Sequence, residues 1–301
     1  MVLPILAVLL PTLYWDRPVE TAEALHKAGV DRLCVAPGRE PAWRKAGFAA
    51  TAFDRARARE AVAPHVEYKM DEASATRAPW IDANGWRYLR APGKTFFSNV
   101  PTGSAALAAA EAFAYGADAA IGATPDDVAA FARMTKFLAA IERAALPAMA
   151  NIGVVDDGSD TMGEVLNLLA RHNLLFQLVP KADPTYAVNI QVTAEAAKPY
   201  EFAIQVRHEL TDERRLLRIY GSNVVIGRLT GNGSEARVHL LNYGKGVVRG
   251  LRVRVLGVYA HGKLADFGRP TLALADYSAE DGATEFTLPE LGPYAIVDLE
   301  R

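Results

Sequence analysis

Apolar and polar positions alternate in short blocks along the first third of the chain. Pro11 to Trp15 reads as a strand that ends at Asp16. Pro18 then opens a helix, a position where the missing N–H costs nothing. Ala22, Leu25 and Ala28 recur at helical spacing and Gly29 closes the element. The apolar run Arg32 to Ala36 predicts a second strand, Ala42 to Ala46 a short helix, and Phe48 to Phe53 a third strand. Val66 to Met70 predicts another. This alternation implies parallel strands joined by right-handed crossovers. Residues 71 to 103 break the rhythm with a polar and aromatic stretch, which predicts a functional loop region. Ser104 to Tyr115 then reads as an alanine-rich helix with Ser104 as its N-cap. Ala117 to Gly122 reads as a strand, and Asp126 to Ala144 as an amphipathic helix.

A different pattern starts near Pro147. Asn151 to Val155 predicts a strand, Gly163 to His172 a helix with Thr161 and Glu164 at capping-box spacing, and Leu174 to Val179 a second strand. A strand near Val188 to Val192 and a helix near Phe202 to Leu210 follow. The last third is all strand. Ser222 to Leu229, Ala236 to Asn242, Leu251 to Val258 and Thr284 to Leu288 are rich in Val, Leu, Ile and Thr, with Gly and Asn between them. Asn232-Gly233-Ser234 fits a glycosylation sequon, and reads better as a hairpin turn.

The fold class that follows is α/β in three parts. Residues 1–147 form a shortened or incomplete (β/α) barrel-like module. Residues 148–215 form a small Rossmann-like or flavodoxin-like β-α-β module. Residues 216–301 form an antiparallel β-sandwich.

This order of parts resembles glycoside hydrolases of β-galactosidase-like build, with a barrel, an amidotransferase-like middle domain and a small β-domain. The stretches ARVHLLNYG (Ala236 to Gly244) and ATEFTLPELGPYAIVDLE (Ala283 to Glu300) look like strands of the terminal sandwich in such enzymes. IGVVDDGSDTMGEVLNLLARHNLLFQLV is similar to the opening of the middle domain, and LPTLYWDRP to the first unit of the barrel. The resemblance implies a saccharide substrate and a pair of carboxyl groups. Two departures limit it. Only residues 1–147 precede the middle module, against at least about 200 for a complete barrel. The Asn-Glu dipeptide that carries the acid/base in those enzymes does not occur in this sequence.

Composition narrows the rest. The 301 residues carry a net charge of −2, which argues against a sequence-independent nucleic-acid binder. The single cysteine, Cys34, excludes an internal disulfide and reads as a small buried hydrophobe. Met1 to Leu10 is too short to span a bilayer. It reads as a first buried strand, with the stub of an export signal as the alternative. No other segment has the character of a membrane span. Self-association is compatible with several apolar modules and a small net charge.

Glycoside hydrolysis needs two carboxyl groups, one of them held protonated. Asp16, Asp71 and Asp82 are the candidates, with Asp54 and Glu72 nearby. Trp15, Arg77, Trp80, Asn84 and Trp86 are the candidate substrate contacts, because aromatic faces suit sugar rings and polar side chains suit hydroxyls. Taken singly, each residue reads as core, cap or surface pair. Together they read as a ligand surface. No cofactor is signalled. The alternative is a divalent cation at Asp156 and Asp157, which also read as solvated acids before a capped helix. That alternative belongs to a metal-assisted ester or lactone hydrolase. A further alternative is a non-catalytic saccharide-binding protein. The histidines form no ligand set, and Glu23 with His26 reads as a helix-surface pair.

Overall fold

The computed structural model describes residues 10–68, 79–141, 146–191 and 198–301. The chain divides into two compact units, Met1–His65 with Asp82–Ala145, and Val66–Ile81 with Leu146–Arg301.

The first unit is built on a parallel sheet. Its elements begin β1 (Thr12–Tyr14), α1 (Ala22–Ala28), β2 (Arg32–Val35), α2 (Glu40–Lys45), β3 (Ala49–Ala52) and β4 (Arg59–Glu60). Two short strands follow, β5 (His65–Glu67) and β6 (Trp80–Asp82), which pair with each other at the point where the chain passes from one unit to the other and back. The first unit then continues with α3 (Gly85–Arg90), β7 (Thr95–Asn99), α4 (Ala105–Ala114), β8 (Asp118–Gly122) and α5 (Val128–Ala140). The six-stranded sheet has the order β3-β2-β1-β8-β7-β4, and every ladder in it is parallel. The last strand therefore returns to the first, as in a (β/α) barrel, and the run stops between β3 and β4. In a Rossmann order the fourth strand of the sheet would lie beside the first. The fold is barrel-like and shortened.

Parallel register puts Leu13, Leu33 and Ile121 on one face of this sheet and Tyr14 and Cys34 on the other. Leu13, Leu33, Val35 and Ile121 are fully buried. α1 ends as its sequence dictates. Gly29 takes the left-handed conformation, φ 84°, and its N–H closes on the last turn. α4 starts differently from expectation. Ser104 makes no side-chain cap bond. The carboxylate of Asp127 accepts from Gly103 N at 2.8 Å and from Ala105 N at 3.2 Å.

The stretch 71–103 is not one loop. Its described part holds β6, α3 and β7. The initial strand expected at Met1 to Leu10 falls on residues outside the described set, apart from Leu10.

The second unit continues with β9 (Ile152–Val155), α6 (Asp160–Arg171), β10 (Phe176–Leu178), β11 (Val188–Gln191) and α7 (Pro199–Leu210). β10-β9-β11 form a parallel three-stranded sheet, the flavodoxin-like start. Helix α6 begins three residues before the expected point. Ser159 is the N-cap, and its side chain accepts from Met162 N. The remaining strands are β12 (Leu217–Tyr220), β13 (Val225–Gly231), β14 (Glu235–Asn242), β15 (Val248–Leu256), β16 (His261–Asp266), β17 (Ala275–Glu280), β18 (Ala283–Leu291) and β19 (Tyr294–Glu300). They form two antiparallel four-stranded sheets, β12-β15-β18-β17 and β13-β14-β19-β16. Val238, Leu240, Val253, Phe286, Leu288 and Val297, all at 0% exposure, belong to one core fed by both sheets. The β13–β14 turn confirms the hairpin reading of Asn232 to Ser234. Asn232 Oδ1 accepts from Ser234 N and Glu235 N, and Gly233 has φ 90°.

Candidate functional site

In parallel α/β folds a ligand is met at the carboxyl ends of the strands, where loops leave the sheet. In the first unit those ends carry an aromatic floor. Tyr14 closes β1, Phe97 lies on β7, and Phe53 directly follows β3. The Tyr14 ring stands edge-on to Phe97 at 5.2 Å and to Phe53 at 5.7 Å, and Phe53 lies 6.0 Å from Phe97. Cys34 and Ala120 complete the layer beneath. Burial pushes the Cys34 thiol up to about 12, so it stays protonated and is no nucleophile at neutral pH.

A cation tops this floor. Asp54 Oδ1 accepts from Ala56 N at 3.1 Å and starts a single 3-10 turn, Arg55–Arg57. That turn places the Arg55 guanidinium 4.2 Å from the Phe97 ring centre and 5.7 Å from that of Tyr14. Such cation–π contacts hold a long side chain over a ring. At the end of β8 there is only Gly122. A Cβ there would come within 2.9 Å of Asn99 Oδ1 and 3.3 Å of Phe97 Cζ, so glycine leaves room for both. Sequence reading missed Phe53, Arg55 and Phe97. The signal was present, because Phe53-Asp54-Arg55 leaves a predicted strand at its carboxyl end.

The sequence candidates are distributed as follows. Asp16 is exposed just beyond β1, and its backbone carbonyl accepts from Arg39. Trp15 is 3% exposed, and its indole N–H donates to Thr21 Oγ1 at 2.9 Å. Its ring is packed inside the fold. Asn84 is 1% exposed. Its side chain bridges Val62 N, Val62 O and Glu111, which holds a loop in place. Asp82 lies 3.3 Å from His65 Nε2. Trp80 carries the Arg171 guanidinium over its ring at 4.4 Å, and Arg171 also donates to Pro79 O. Trp86 lies on α3 against Arg87 and Arg90. Asp71 and Arg77 lie outside the described residues.

Asp156 and Asp157 accept from Gly158 N and Ser159 N, two residues on in each case, and so shape the turn before α6. Among the described residues no group of three or more His, Cys, Asp and Glu is gathered to hold a metal ion. His26 stacks on Phe48 at 4.0 Å with Nε2 2.8 Å from Ala46 O, a packing role. His172 is the C-cap of α6. Burial, with Arg171, Arg207 and Arg215 around it, lowers it to about 4. Arg215 supplies the positive charge, donating to His172 O at 2.9 Å. Among the described residues no helix is long and apolar enough to cross a membrane.

No family model matches the sequence, and no curated protein matches it. Solved structures do. An α-L-fucosidase from Paenibacillus thiaminolyticus aligns with 12% identity and a TM-score of 0.50, over 69% of this chain and 61% of that one. A β-galactosidase from G. stearothermophilus aligns with 9% identity and a TM-score of 0.38, over 65% of this chain and 50% of that one. A maltogenic α-amylase from Thermotoga neapolitana aligns with 11% identity and a TM-score of 0.28. The chain thus spans less than two thirds of the fucosidase and of the galactosidase. These solved structures are glycoside hydrolases, and the likeness to the fucosidase is one of fold.

Proposed function

We propose that the protein acts on saccharides, binding them at the carboxyl ends of the parallel sheet. The observation that carries this reading is the Tyr14–Phe53–Phe97 floor topped by Arg55. Tyr14 and Phe97 are buried and back the layer, while Phe53 is half-buried and Arg55 exposed; an aromatic ring complements the apolar face of a sugar, and a guanidinium donates to its hydroxyls. Asp16, exposed beside this floor in sequence, is the first carboxyl group assigned to acid, base or nucleophilic work. Asp71 and Asp82 are the remaining two. A panel of aryl glycosides tests the hydrolytic reading. Loss of one reacting carboxylate as Asp→Asn lowers turnover by at least about a hundredfold. Unchanged turnover in Asp16→Asn, Asp71→Asn and Asp82→Asn alike overturns it.

A second reading, saccharide binding without turnover, is favoured by a separate observation. Asp54 already faces Arg57 at 3.3 Å, and Asp82 faces His65 at 3.3 Å. Calorimetric titration with mono- and oligosaccharides separates the two readings. Binding weakened by Phe97→Ala, with no turnover by the intact protein, supports the second. Absence of both binding and turnover overturns both.

A further inference from the structure

We infer that the cavity between α3 and the edge strand β4 is a binding site for a small oxyanion, carried free or as an ester on a larger molecule. The cavity measures about 310 Å³ and is lined, among the described residues, by Arg59, Glu60, Trp86, Arg87, Arg90 and Phe96. That volume is at the small end for ligand sites. β4 is the last strand of its sheet, and Arg59 sits in register with Phe96 of β7, so both present to the same face. α3 brings the other three residues. The indole of Trp86 is flanked by Arg87 at 4.3 Å and by Arg90 at 5.2 Å.

Charge and hydrogen bonding both point to an anion. The lining carries three guanidinium groups and one carboxylate, Glu60, and Asp82 and Glu111 act on Arg87 from beyond it. Like charges gathered beside low-dielectric aromatic walls repel one another more than they would in open water. Burial holds the Arg87 guanidinium below the usual arginine range, with Asp82 and Glu111 offsetting part of that cost. The indole Nε1 of Trp86 is buried and has no acceptor among the described residues. An oxyanion offers several acceptor oxygens to forked guanidinium donors and an acceptor to the Trp86 indole N–H. The flanking rings of Trp86 and Phe96 suit an ester that carries a flat group. This site does not depend on the saccharide reading.

The test is calorimetric titration of the full chain with inorganic phosphate and with phenyl phosphate, at an ionic strength fixed with chloride. Trp86 fluorescence is followed in parallel. Saturable binding is expected, weakened about tenfold by Arg59→Gln and again by Arg90→Gln. Arg59 is exposed, so Arg59→Gln leaves the fold intact and keeps the test valid if Arg90→Gln misfolds. Tighter binding of phenyl phosphate than of phosphate identifies the ester as the source, and equal binding identifies the free ion. A response that follows ionic strength alone, or one that Arg59→Gln leaves unchanged, overturns the assignment.

Discussion

Glu111, buried within α4, holds Asn84 by two bonds, 2.6 Å from Oε1 to the Asn84 backbone N and 2.9 Å from Oε2 to Asn84 Nδ2. The same Asn84 side chain pairs with both backbone groups of Val62. A carboxyl group at 0% exposure depends on such donors, because burial without them carries its full desolvation cost. Asn84→Ala removes the Nδ2 donor to Oε2 and both bonds to Val62, while the backbone N–H donor to Oε1 stays. The expected loss of stability is about 2–4 kcal/mol, read from urea unfolding. Asn84→Asp, which puts a second acid beside Glu111, is expected to cost at least as much.

The start of α4 is held from a distance in sequence. Asp127 is 4% exposed and accepts from Gly103 N and Ala105 N. Its carboxylate does what a Ser or Asp N-cap usually does, satisfying donors that the first turn leaves open. Asp127→Ala is expected to destabilise the protein by about 1–2 kcal/mol, measured as a shift in urea midpoint at constant slope. Ser104→Ala, by contrast, is expected to change the midpoint little, because Ser104 makes no cap bond.

These two contacts show where sequence reading reaches its limit. The strands near Leu13, Leu33 and Ile121 were legible because short apolar runs punctuated by Pro and Gly mark buried parallel strands. The edge strand β4 was not, since Arg59-Glu60 carries no apolar signal at all. Eight strands form the sandwich; β13, β14, β15 and β18 were expected from their composition, and β19 through the resemblance of Ala283 to Glu300 to sandwich strands. β16 alternates weakly because much of it is exposed, whereas β17 alternates, Ala-Asp-Tyr-Ser-Ala-Glu, with its apolar positions only half-buried. Ser104 was expected to cap α4 from its local position. The actual cap comes from Asp127, a long-range partner that no local pattern encodes. The site shows the same division. Asp16 at a strand end was legible, whereas Arg55 over Phe97 depends on a 3-10 turn set by Asp54. Trp15 and Asn84 carried the right chemistry for ligand contact, but the fold spends their polar groups internally.

Acid sensitivity follows from three groups in the second unit, the buried His239 and Asp266 and the half-buried His172. His172 falls from 6.5 to about 4 through burial and its arginine neighbours. His239, with Nδ1 2.7 Å from the Tyr294 hydroxyl, is lowered well below 6.5 by burial and by Arg228 and Arg237. For both, the unfolded chain binds a proton that the folded chain refuses, so their contribution is whole above pH 6.5 and is lost as the pH falls. Asp266 acts in the opposite sense. Burial raises it from 3.8 to about 6 against the pull of Arg269, so its contribution is whole below 3.8 and is lost as the pH rises through 6. Between pH 4 and 6 Asp266 opposes His172, and His239 acts in the same sense as His172, so unfolding takes up protons on balance and stability is expected to fall as the pH falls. Asp266→Asn removes the opposing group and is expected to steepen the fall, whereas His172→Asn flattens it. Urea midpoints measured at half-unit steps from pH 7 to 4 check both signs.

The tightest backbone approach in the first unit predicts a substitution that sequence alone would rate as mild. Gly85 opens α3, where alanine is ordinarily the better helix former by about 1 kcal/mol. A Cβ at that position would stand 2.1 Å from Tyr115 Cζ and 2.4 Å from its hydroxyl oxygen. Helix propensity and packing therefore oppose each other, and packing wins. At that distance the Tyr115 ring must leave its place, which also disturbs its contact with Tyr88 at 6.3 Å. Gly85→Ala is expected to destabilise the protein by about 1–3 kcal/mol, the usual range for overpacking. The cause is checked by a double-mutant cycle with Tyr115→Leu. If the clash is with the ring, Gly85→Ala costs little in the Tyr115→Leu background, and the propensity gain of alanine emerges. An unchanged cost in that background assigns the effect to the backbone of α3 instead.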